Sequence, residues 1–374
     1  MTTDHVDLTV VGGGIVGAWV AHLAHRRFPH WEIALLERSL VASGATRHAV
    51  GLELPIGRTE WQRGLAERSA ALYREAMNDL GTDLFEEIPV TWIVRAAAVP
   101  AVEAQLVGIP LRAASDSEAA RVSLTYDGLR LATDERLLVG GVALSAPPGA
   151  VTQRMVDRLR SSSRFRCWEG VDVDRVSPRG DGFVVTDDAS VAITSRRVVV
   201  ATGPWLPFGP GREVAARAGV RIKKVVALGL DRRPCDRDPA LFLPECDAYL
   251  APLARRGKWL FSFRSEEWDC APEPARLRIT EEDRRAAVSI LKRYVPGFAE
   301  ACRGGHVFCD AYTPAAVPLV STHPQHEDFV VAGAGAGAGY RLAPGIAEAA
   351  VRCFDTDASS PDRHGRTIVC EGHS

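Results

Sequence analysis

The sequence predicts an α/β protein in which a Rossmann-type domain, assembled from separate segments, carries an inserted α+β domain with an antiparallel sheet. Three observations support this fold class. Residues 4–37 contain a strand, a glycine turn, a helix and a second strand, the order of a dinucleotide-binding βαβ unit. Further strand-and-glycine segments at 197–205 and 328–345 lie too far along the chain for one continuous domain. Between them, residues 220–233 and 247–265 have strand character and predict a second sheet.

The first element is a strand at residues 6–11 that runs into a G-x-G-x-x-G turn. Gly12 permits the tight turn, Gly14 lets the backbone approach a pyrophosphate, and Gly17 lets helix and strand pack closely. The following helix, at about 16–27, directs the positive end of its dipole at the phosphates. The predicted dinucleotide contacts of this turn are Gly12, Gly14, Ile15, Val16 and Gly17.

The second strand, at residues 33–36, ends at an acid. Glu37 follows the last glycine of the turn by 20 residues. A carboxylate at this position accepts hydrogen bonds from both ribose hydroxyls and disfavours a 2′-phosphate. Strand, turn, helix and acid therefore agree on an adenine dinucleotide other than NADP.

Four segments resemble the D-amino acid oxidase superfamily, in its glycine-oxidase and sarcosine-oxidase branches. Residues 37–51, with the sequence ERSLVASGATRHAVG, resemble its second flavin loop. Residues 197–205 resemble a strand and turn of the flavin domain, and residues 247–252 resemble a strand of the substrate domain. Residues 328–345 resemble the C-terminal flavin loop. The resemblance extends over about residues 5–354, and its first and last motifs are specific in combination.

The resemblance implies FAD, bound non-covalently. In the loop at 333–339 small residues let the backbone approach the isoalloxazine ring. A second dinucleotide site there is the alternative, but no second βαβ unit follows. Cys309 lies near the position where the sarcosine-oxidase branch attaches its flavin, so a covalent link is an alternative to an ordinary buried cysteine. The FAD contacts implied beyond the first turn are Glu37, Arg38, Ser43, Ala45, Thr46, Val173, Ala201, Gly203, Gly335, Gly337, Gly339, Tyr340 and Arg341.

The same motifs divide the chain into two domains and a tail. We expect the FAD-binding domain at 1–80, 140–212 and 312–354, the substrate-binding domain at 81–139 and 213–311, and a flexible polar tail at 355–374. Helical periodicity predicts helices at 58–80, 280–294 and about 343–354. Thr280 is the predicted N-cap of the second of these, with Asp283 three residues later.

Composition excludes several functional classes. The 374 residues carry a net charge of −2, which gives no indication of nucleic acid or an anionic membrane. No stretch of about 18 apolar residues predicts a transmembrane helix. The eight cysteines include no C-x-x-C pair, which favours reduced thiols and a cytoplasmic protein. We expect no metal site, and the oligomeric state is left open.

The resemblance implies an oxidase of an amine or amino acid. In that reaction a hydride passes from the C–H next to nitrogen to flavin N5, and O2 reoxidises the flavin, giving an imine and H2O2. Two alternatives stay open: an FAD-dependent 2-hydroxy-acid dehydrogenase that uses a quinone or other carrier, and a non-catalytic flavin-binding protein. Specialised metabolism would suit the oxidase.

Candidate catalytic residues follow from their positions in these motifs. Tyr249 matches a strand tyrosine that contacts the substrate carboxylate in relatives, and the alternative is a core tyrosine. Arg341, beside the flavin loop, is a candidate for a bidentate carboxylate contact, and the alternative is a solvated or phosphate-facing arginine. Arg264 ends a predicted strand and is expected to face the ring or the solvent. Trp268 resembles an aromatic residue of glycine-oxidase relatives, and His48 is a candidate for the N5 edge of the flavin.

The segment before Thr313-Pro314 departs from the family. Amino-acid oxidases carry an arginine there that clamps the substrate carboxylate, whereas this chain has Asp310 nearby and Ala315 in place of the usual aspartate. Asp310 is predicted either to face a cationic amine or to be exposed. The alanine and glycine of the C-terminal loop leave room for a larger substrate. We therefore expect a bulky N-substituted amino acid or a secondary amine rather than a simple free D-amino acid.

Overall fold

The computed structural model describes residues 4–188 and 192–355. Its strands form two sheets, and its longer helices cover one face of each. The strands are β1 Asp4–Val11, β2 Ile33–Glu37, β3 Leu52–Glu53, β4 Glu86–Arg95, β5 Arg112–Ala113, β6 Glu135–Ser145, β7 Phe165–Glu169, β8 Val173–Arg179, β9 Gly182–Asp187, β10 Ala192–Val200, β11 Arg221–Leu230, β12 Ala240–Leu243, β13 Ala248–Leu253, β14 Lys258–Phe263, β15 Cys302–Tyr312, β16 Leu319–His323 and β17 His326–Gly333. The helices are α1 Ile15–Arg27, α2 Ala45–His48, α3 Glu60–Leu80, α4 Val99–Glu103, α5 Asp116–Thr125, α6 Pro148–Arg160, α7 Arg212–Arg217, α8 Glu281–Tyr294, α9 Pro296–Ala299 and α10 Gly339–Arg352.

The first sheet is the Rossmann-type unit, with strand order β16-β17-β10-β1-β2-β7 and the β8–β9 hairpin attached to β10. Its central strands pair in parallel, and Val10 lies opposite Val199 and Leu35. Val10 packs against α1, α3, α6 and α10, and its neighbour Val11 packs on the opposite face. Both faces are covered, so the C-terminal ends of the central strands are apolar on both sides, at 10–11, 198–200 and 329–332. The predicted assembly from separate segments is confirmed, because this sheet draws strands from three parts of the chain.

The second sheet has the order β15-β11-β14-β13-β12-β4-β6-β3, with β5 beside β6. All its pairs are antiparallel except β12 with β4, which confirms the predicted antiparallel insertion. Strand β6 spans the predicted boundary at 140 and pairs with β4 on both sides of it. β3, at 52–53, also joins this sheet although it was assigned to the flavin domain. Alternation identifies a strand but not the sheet it joins, so the domain limits stay a prediction.

Two of the predicted helices begin where their capping residues place them. Thr59 caps α3, and its side chain accepts from the backbone N–H of Gln62. Thr280 accepts from the backbone N–H of Asp283 at the start of α8, as predicted. Each pair forms a reciprocal capping box, because the Gln62 and Asp283 side chains accept from the N-cap backbone in return.

Helix α10 begins at Gly339, four residues before the predicted start. With the predicted start at about residue 343, Pro344 falls in the first turn, where its missing N–H has no consequence. In the structure Pro344 lies inside the helix and leaves the carbonyl of Tyr340 without its usual donor. The hydroxyl of Tyr73 donates to that carbonyl at 2.7 Å, and the backbone N–H of Gly345 donates to Ser69 Oγ at 2.9 Å. Helix α3 thus supplies the hydrogen bonds that allow α10 to start early.

The predicted tail lies outside the described residues except for its first residue, Asp355. Across the described parts of the chain no helix combines the length and the apolar character that crossing a bilayer requires.

Candidate active site

A single continuous cavity of about 1130 Å³ extends from the glycine turn of the first sheet to the inner face of the second. That volume slightly exceeds the usual range for small-molecule pockets, so it accommodates a ligand larger than a typical substrate. Predicted FAD contacts line it from both the N-terminal and the C-terminal segments of the chain. The lining members of that prediction are Gly12, Gly14, Ile15, Val16, Glu37, Arg38, Ser43, Ala45, Thr46, Val173, Ala201, Gly203, Gly335, Gly337, Gly339, Tyr340 and Arg341.

The glycine turn has the geometry that the sequence predicts. Gly12 has φ +107°, and a Cβ there would lie 2.5 Å from the carbonyl oxygen of Ala201. Gly17 does not line the cavity, because its role is close packing: a Cβ on it would lie 1.9 Å from the carbonyl oxygen of Gly12. The N–H of Ile15 donates to Thr46 Oγ1 at 3.0 Å, which joins the turn to the second flavin loop. No side chain caps α1 at Gly14, so its N-terminal amides face the cavity without a protein anion.

The acid after β2 is held by the backbone on both sides. Glu37 Oε2 accepts from the N–H of Gly13 at 2.7 Å, and Oε1 accepts from the N–H of Ser39 at 2.9 Å. Each carboxylate oxygen retains a lone pair for a ribose hydroxyl. Beside it, the guanidinium of Arg38 stacks over the ring of Trp205 at 3.9 Å. Trp205 also lines the cavity, and the sequence motif at 197–205 included it without assigning it a role.

The C-terminal loop is fixed by Asp310. Its Oδ2 accepts from the N–H of Gly337 at 2.7 Å, and its Oδ1 accepts from the N–H of Ala311 at 2.8 Å. Burial raises the pKa of this carboxyl to about 6, although both backbone donors favour the ionised form. Asp310 is partly buried, so the exposed alternative is wrong. Its carboxylate oxygens are directed at the loop backbone, an arrangement that neither predicted alternative included.

The same loop contains two alanines in the left-handed region. Ala334 has φ +49° and Ala336 has φ +52°. Such a conformation costs on the order of 1–3 kcal/mol for a residue with a side chain. The bond from Asp310 to Gly337 therefore holds a loop that is intrinsically strained, in the segment predicted to approach the flavin ring.

Arg341 is a half-buried arginine of the cavity lining, and the buried Glu53 is the acid that acts on its charge most strongly. Its Nε is buried without a hydrogen bond, and among the described residues no carboxylate lies within ion-pair distance of the guanidinium. Burial lowers its pKa from the ordinary value, while Tyr249 and Glu53 oppose that shift. An arginine stays protonated in spite of such a shift. A half-buried cation that lines a cavity without an ion-pair partner is a site for an anionic ligand group.

The floor of the cavity is one row of the second sheet. Trp92 lies opposite Phe242, Phe242 opposite Tyr249, Tyr249 opposite Ser262, and Ser262 opposite Ala227. All five residues line the cavity. Tyr249 is thus in the cavity as predicted, and burial raises the pKa of its hydroxyl. Sequence analysis did not identify Trp92 or Phe242, because their approach to Tyr249 depends on cross-strand register.

Lys223 is a second cation in the cavity, and the prediction did not include it. It is 6% exposed, and its Nζ lies 5.0 Å from the ring centre of Trp268 and 5.6 Å from that of Tyr312. Burial is the main cause that lowers its pKa, followed by the charge of Arg264. Within the described chain Lys223 forms no ion pair. Trp268 also lines the cavity, beside Lys223, and its predicted role in the site stays a prediction.

Arg264 lies in an outer part of the cavity lining. Its Nε pairs with Glu266 Oε1 at 2.7 Å, and both side chains are more than half exposed. The solvent-facing alternative describes Arg264 better than a position against the ring.

Two other predicted residues face away from the cavity. His48 is not among the lining residues; it stacks on Phe308, with ring centres 5.9 Å apart, and lies near His306. Burial lowers the pKa of His48 and favours its neutral form. Cys309 is 2% exposed and packs in the apolar cluster behind the sheet, whereas its neighbours Phe308 and Asp310 line the cavity. Alternation along β15 thus directs the thiol away, and burial raises its pKa to about 12.

A buried acid near Arg341 was also absent from the prediction. Glu53 on β3 is 4% exposed, and its Oε1 has no hydrogen-bond partner. Burial raises its pKa to about 7, against the charges of Arg74 and Arg341. The sequence pattern that could have identified Glu53 is a glutamate between two leucines. In the structure both leucines, Leu52 and Leu54, line the cavity.

The residues present fit FAD. The glycine turn has no room for a Cβ at Gly12 or Gly17, where the backbone must stay close to its neighbours. The carboxylate of Glu37 after β2 has free lone pairs. The cavity continues from there to the C-terminal loop. No group of three histidines, cysteines or acids in the described chain is arranged to hold a metal ion.

Comparisons with known proteins agree with this fit. A curated relative, 4-methylaminobutanoate oxidase (formaldehyde-forming) from Paenarthrobacter nicotinovorans, is 29% identical over 257 residues, which are 66% of this chain but only 29% of the relative. The chain thus spans less than a third of the length of that relative.

Solved structures show the same fold at low identity. Glycine oxidase from Geobacillus kaustophilus superposes with a TM-score of 0.74 at 18% identity, covering 95% of this chain and 96% of that one. L-proline dehydrogenase from P. horikoshii gives a TM-score of 0.74 at 18% identity, covering 94% and 93%. Residues 7–352 match the family described as FAD dependent oxidoreductase, DAO. The chain therefore belongs to this family of FAD-dependent oxidoreductases, as its four motifs predict.

Proposed function

We propose that this protein is an amine oxidase whose substrate is an N-substituted amino acid. The observation that carries the proposal is Arg341, a half-buried cation that lines the cavity, whose Nε has no hydrogen bond and which forms no ion pair among the described residues. A substrate carboxylate satisfies that cation with a bidentate contact. The curated relative is named for a methylamino acid, which supports an N-alkyl amine at the other end of the substrate.

The cavity favours the uncharged amine, which is the form that can be oxidised. Arg341 and Lys223 place two positive charges along it, the carboxyl groups of Asp247 and Asp310 also line it, and the row from Trp92 to Tyr249 is largely apolar. Beside this row, low polarity disfavours an ammonium ion and lowers the pKa of a bound amine. These residues therefore bind a carboxylate and promote loss of the amine proton, so no dedicated base is required.

Bound FAD supplies hydride acceptance at N5 and transfer of the electrons to O2, so that the substrate becomes an imine and H2O2 is released. The chain positions the donor carbon: Arg341 anchors the carboxylate, and Asp310 keeps the loop at 335–339 in place. Lys223 adds a fixed positive charge in the same cavity, which favours the formation of anions there.

The test is anaerobic mixing of the FAD-loaded protein with candidate substrates. N-methylglycine and larger N-methyl amino acids are expected to bleach the flavin absorbance, and air is expected to restore it with one H2O2 per imine. Arg341→Met should raise the concentration for half-maximal bleaching by roughly 100-fold. Arg352→Met, an exposed arginine on the same helix that pairs with Glu348, is the matched control.

Two outcomes contradict the proposal. If 2-hydroxy acids bleach the flavin, amines do not, and the reduced flavin survives for minutes in air, the protein is a dehydrogenase that uses another acceptor. If neither class bleaches a fully loaded flavin, the protein binds FAD without oxidising these compounds.

A further inference from the structure

The apolar end of the cavity is built from one hydrophobic cluster of the second sheet. Seven residues of that cluster line the cavity and form what we term the aryl pocket: Leu52, Leu54, Ile56, Trp92, Val102, Leu106 and Phe242. An apolar ligand group that enters the aryl pocket leaves water, and the pocket surface that it covers leaves water as well.

The aryl pocket adjoins the anchor for the substrate carboxylate. Tyr249 and Arg341 line the same cavity, where burial raises the pKa of the Tyr249 hydroxyl and the charge of Arg341 opposes that shift. The ring of Tyr249 stacks on Phe242 with centres 5.2 Å apart and an angle of 14°, and Phe242 is 4.8 Å from Trp92. A continuous row of rings therefore connects the carboxylate anchor to the aryl pocket.

The stacking of these rings favours a flat aromatic ligand group over an aliphatic one. The rings of Phe242 and Tyr249 are stacked, the ring of Trp92 is tilted by 36° to that of Phe242, and all three residues line the cavity. Ring edges carry partial positive charge and attract the face of another aromatic ring. A saturated ring of similar size gains only the apolar contact.

We propose, resting on the function proposed above, that the substrate carries an aromatic group that binds in the aryl pocket while its carboxylate binds Arg341. The substrate class is an N-substituted amino acid with an aryl or arylmethyl side chain. An aliphatic substrate of the size of N-methylglycine would leave the pocket unfilled and bind weakly.

The experiment measures ligand binding and does not need turnover. Acetate, cyclohexylacetate and phenylacetate are titrated into the FAD-loaded protein, and each dissociation constant is read from the perturbation of the flavin spectrum. We expect phenylacetate to bind roughly 10- to 100-fold more tightly than acetate, from the apolar area it buries. It should bind about 3- to 10-fold more tightly than cyclohexylacetate, from the edge-to-face contacts.

Two variants locate the effect. Phe242→Leu should weaken phenylacetate binding by about 3- to 10-fold with little effect on acetate. Val102→Phe fills the pocket and should remove the preference for phenylacetate. Phe28→Leu is the matched control, because Phe28 is also partly buried and stacks on Trp31 at 3.7 Å but does not line the cavity. The number of FAD molecules bound per protein molecule is measured to establish that each variant is folded.

The outcomes separate this inference from the function on which it rests. Equal binding of the three carboxylates, abolished by Arg341→Met, would overturn the aryl pocket and leave the carboxylate anchor intact. Equal affinity for cyclohexylacetate and phenylacetate would overturn the preference for an aromatic group. If none of the three carboxylates binds, both the aryl pocket and the carboxylate anchor at Arg341 are overturned. Bleaching of the flavin by N-methyl amino acids still tests amine oxidation independently.

Discussion

Replacing Gly17 with alanine tests the packing on which the glycine turn depends. The new Cβ would lie 1.9 Å from the carbonyl oxygen of Gly12 and 3.1 Å from its carbonyl carbon. Normal contacts of such atoms exceed about 3 Å, so strand and helix must separate by roughly 1 Å. Overpacking of this kind costs about 3 kcal/mol. With an unfolding entropy of about 2.1 cal/mol/K per residue, the melting temperature of the apoprotein should fall by about 4 °C.

The same change should remove FAD, because the displaced turn carries the amides that face the cavity. Gly64→Ala is the matched control: Gly64 is an exposed glycine inside α3, and a Cβ there meets nothing within 4 Å. It should gain about 0.5–1 kcal/mol from the lower flexibility of the unfolded chain. Melting temperature and FAD content after desalting are measured for both variants. A Gly17→Ala protein with stoichiometric FAD and an unchanged apoprotein melting temperature would refute the reasoning.

Three further predictions concern the cofactor and pH. Arg38→Ala removes the stacking on Trp205 and should weaken FAD binding about 2- to 5-fold in an equilibrium titration of the apoprotein; an unchanged affinity would place that stack outside the cofactor site. Acid precipitation should release all flavin into the supernatant from both wild type and Cys309→Ala, whereas yellow colour retained only by the wild type would show a covalent link. Glu53 has a pKa raised from 4.5 to about 7, so its contribution to stability is present below pH 4.5 and is lost as pH rises through 7. Glu53→Gln, which is neutral throughout, should therefore become more stable than wild type above pH 7, by about 3 kcal/mol in urea unfolding of the apoprotein, with little difference near pH 4.5.

Local chemistry made the nucleotide half of the site predictable from sequence. Gly12 and Gly17 occupy a short motif, and the close contact of Gly17 with the carbonyl oxygen of Gly12 lies within it, whereas that of Gly12 is with the distant Ala201. The caps at Thr59 and Thr280 depend on side chains three residues away, and both helices begin beside them. The position of the last flavin loop followed from resemblance rather than from spacing.

The substrate half depends on contacts between distant segments, which a single sequence does not encode locally. The backbone contact that Asp310 makes could not be predicted without the position of Gly337, which lies in the loop after the last strand of the other sheet. Lys223 is a lysine in a strand until the fold places the contacting rings of Trp268 and Tyr312 beside it. The early start of α10 depended on Tyr73, a residue of a helix more than 250 positions earlier.

The strand order of the first sheet sets when the cofactor site can exist during synthesis. β1 pairs with β10, and β10 pairs with β17, so the strand at residues 4–11 has its long-range partner only after residue 200 has been made. The backbone of Ala201 that closes the glycine turn arrives at the same time, and the loop at 335–339 arrives last. Contacts between such distant segments make folding slow. A nascent chain therefore exposes an unpaired β1 edge until residue 200 has left the ribosome, and it completes the FAD cradle only after the loop at 335–339 has followed.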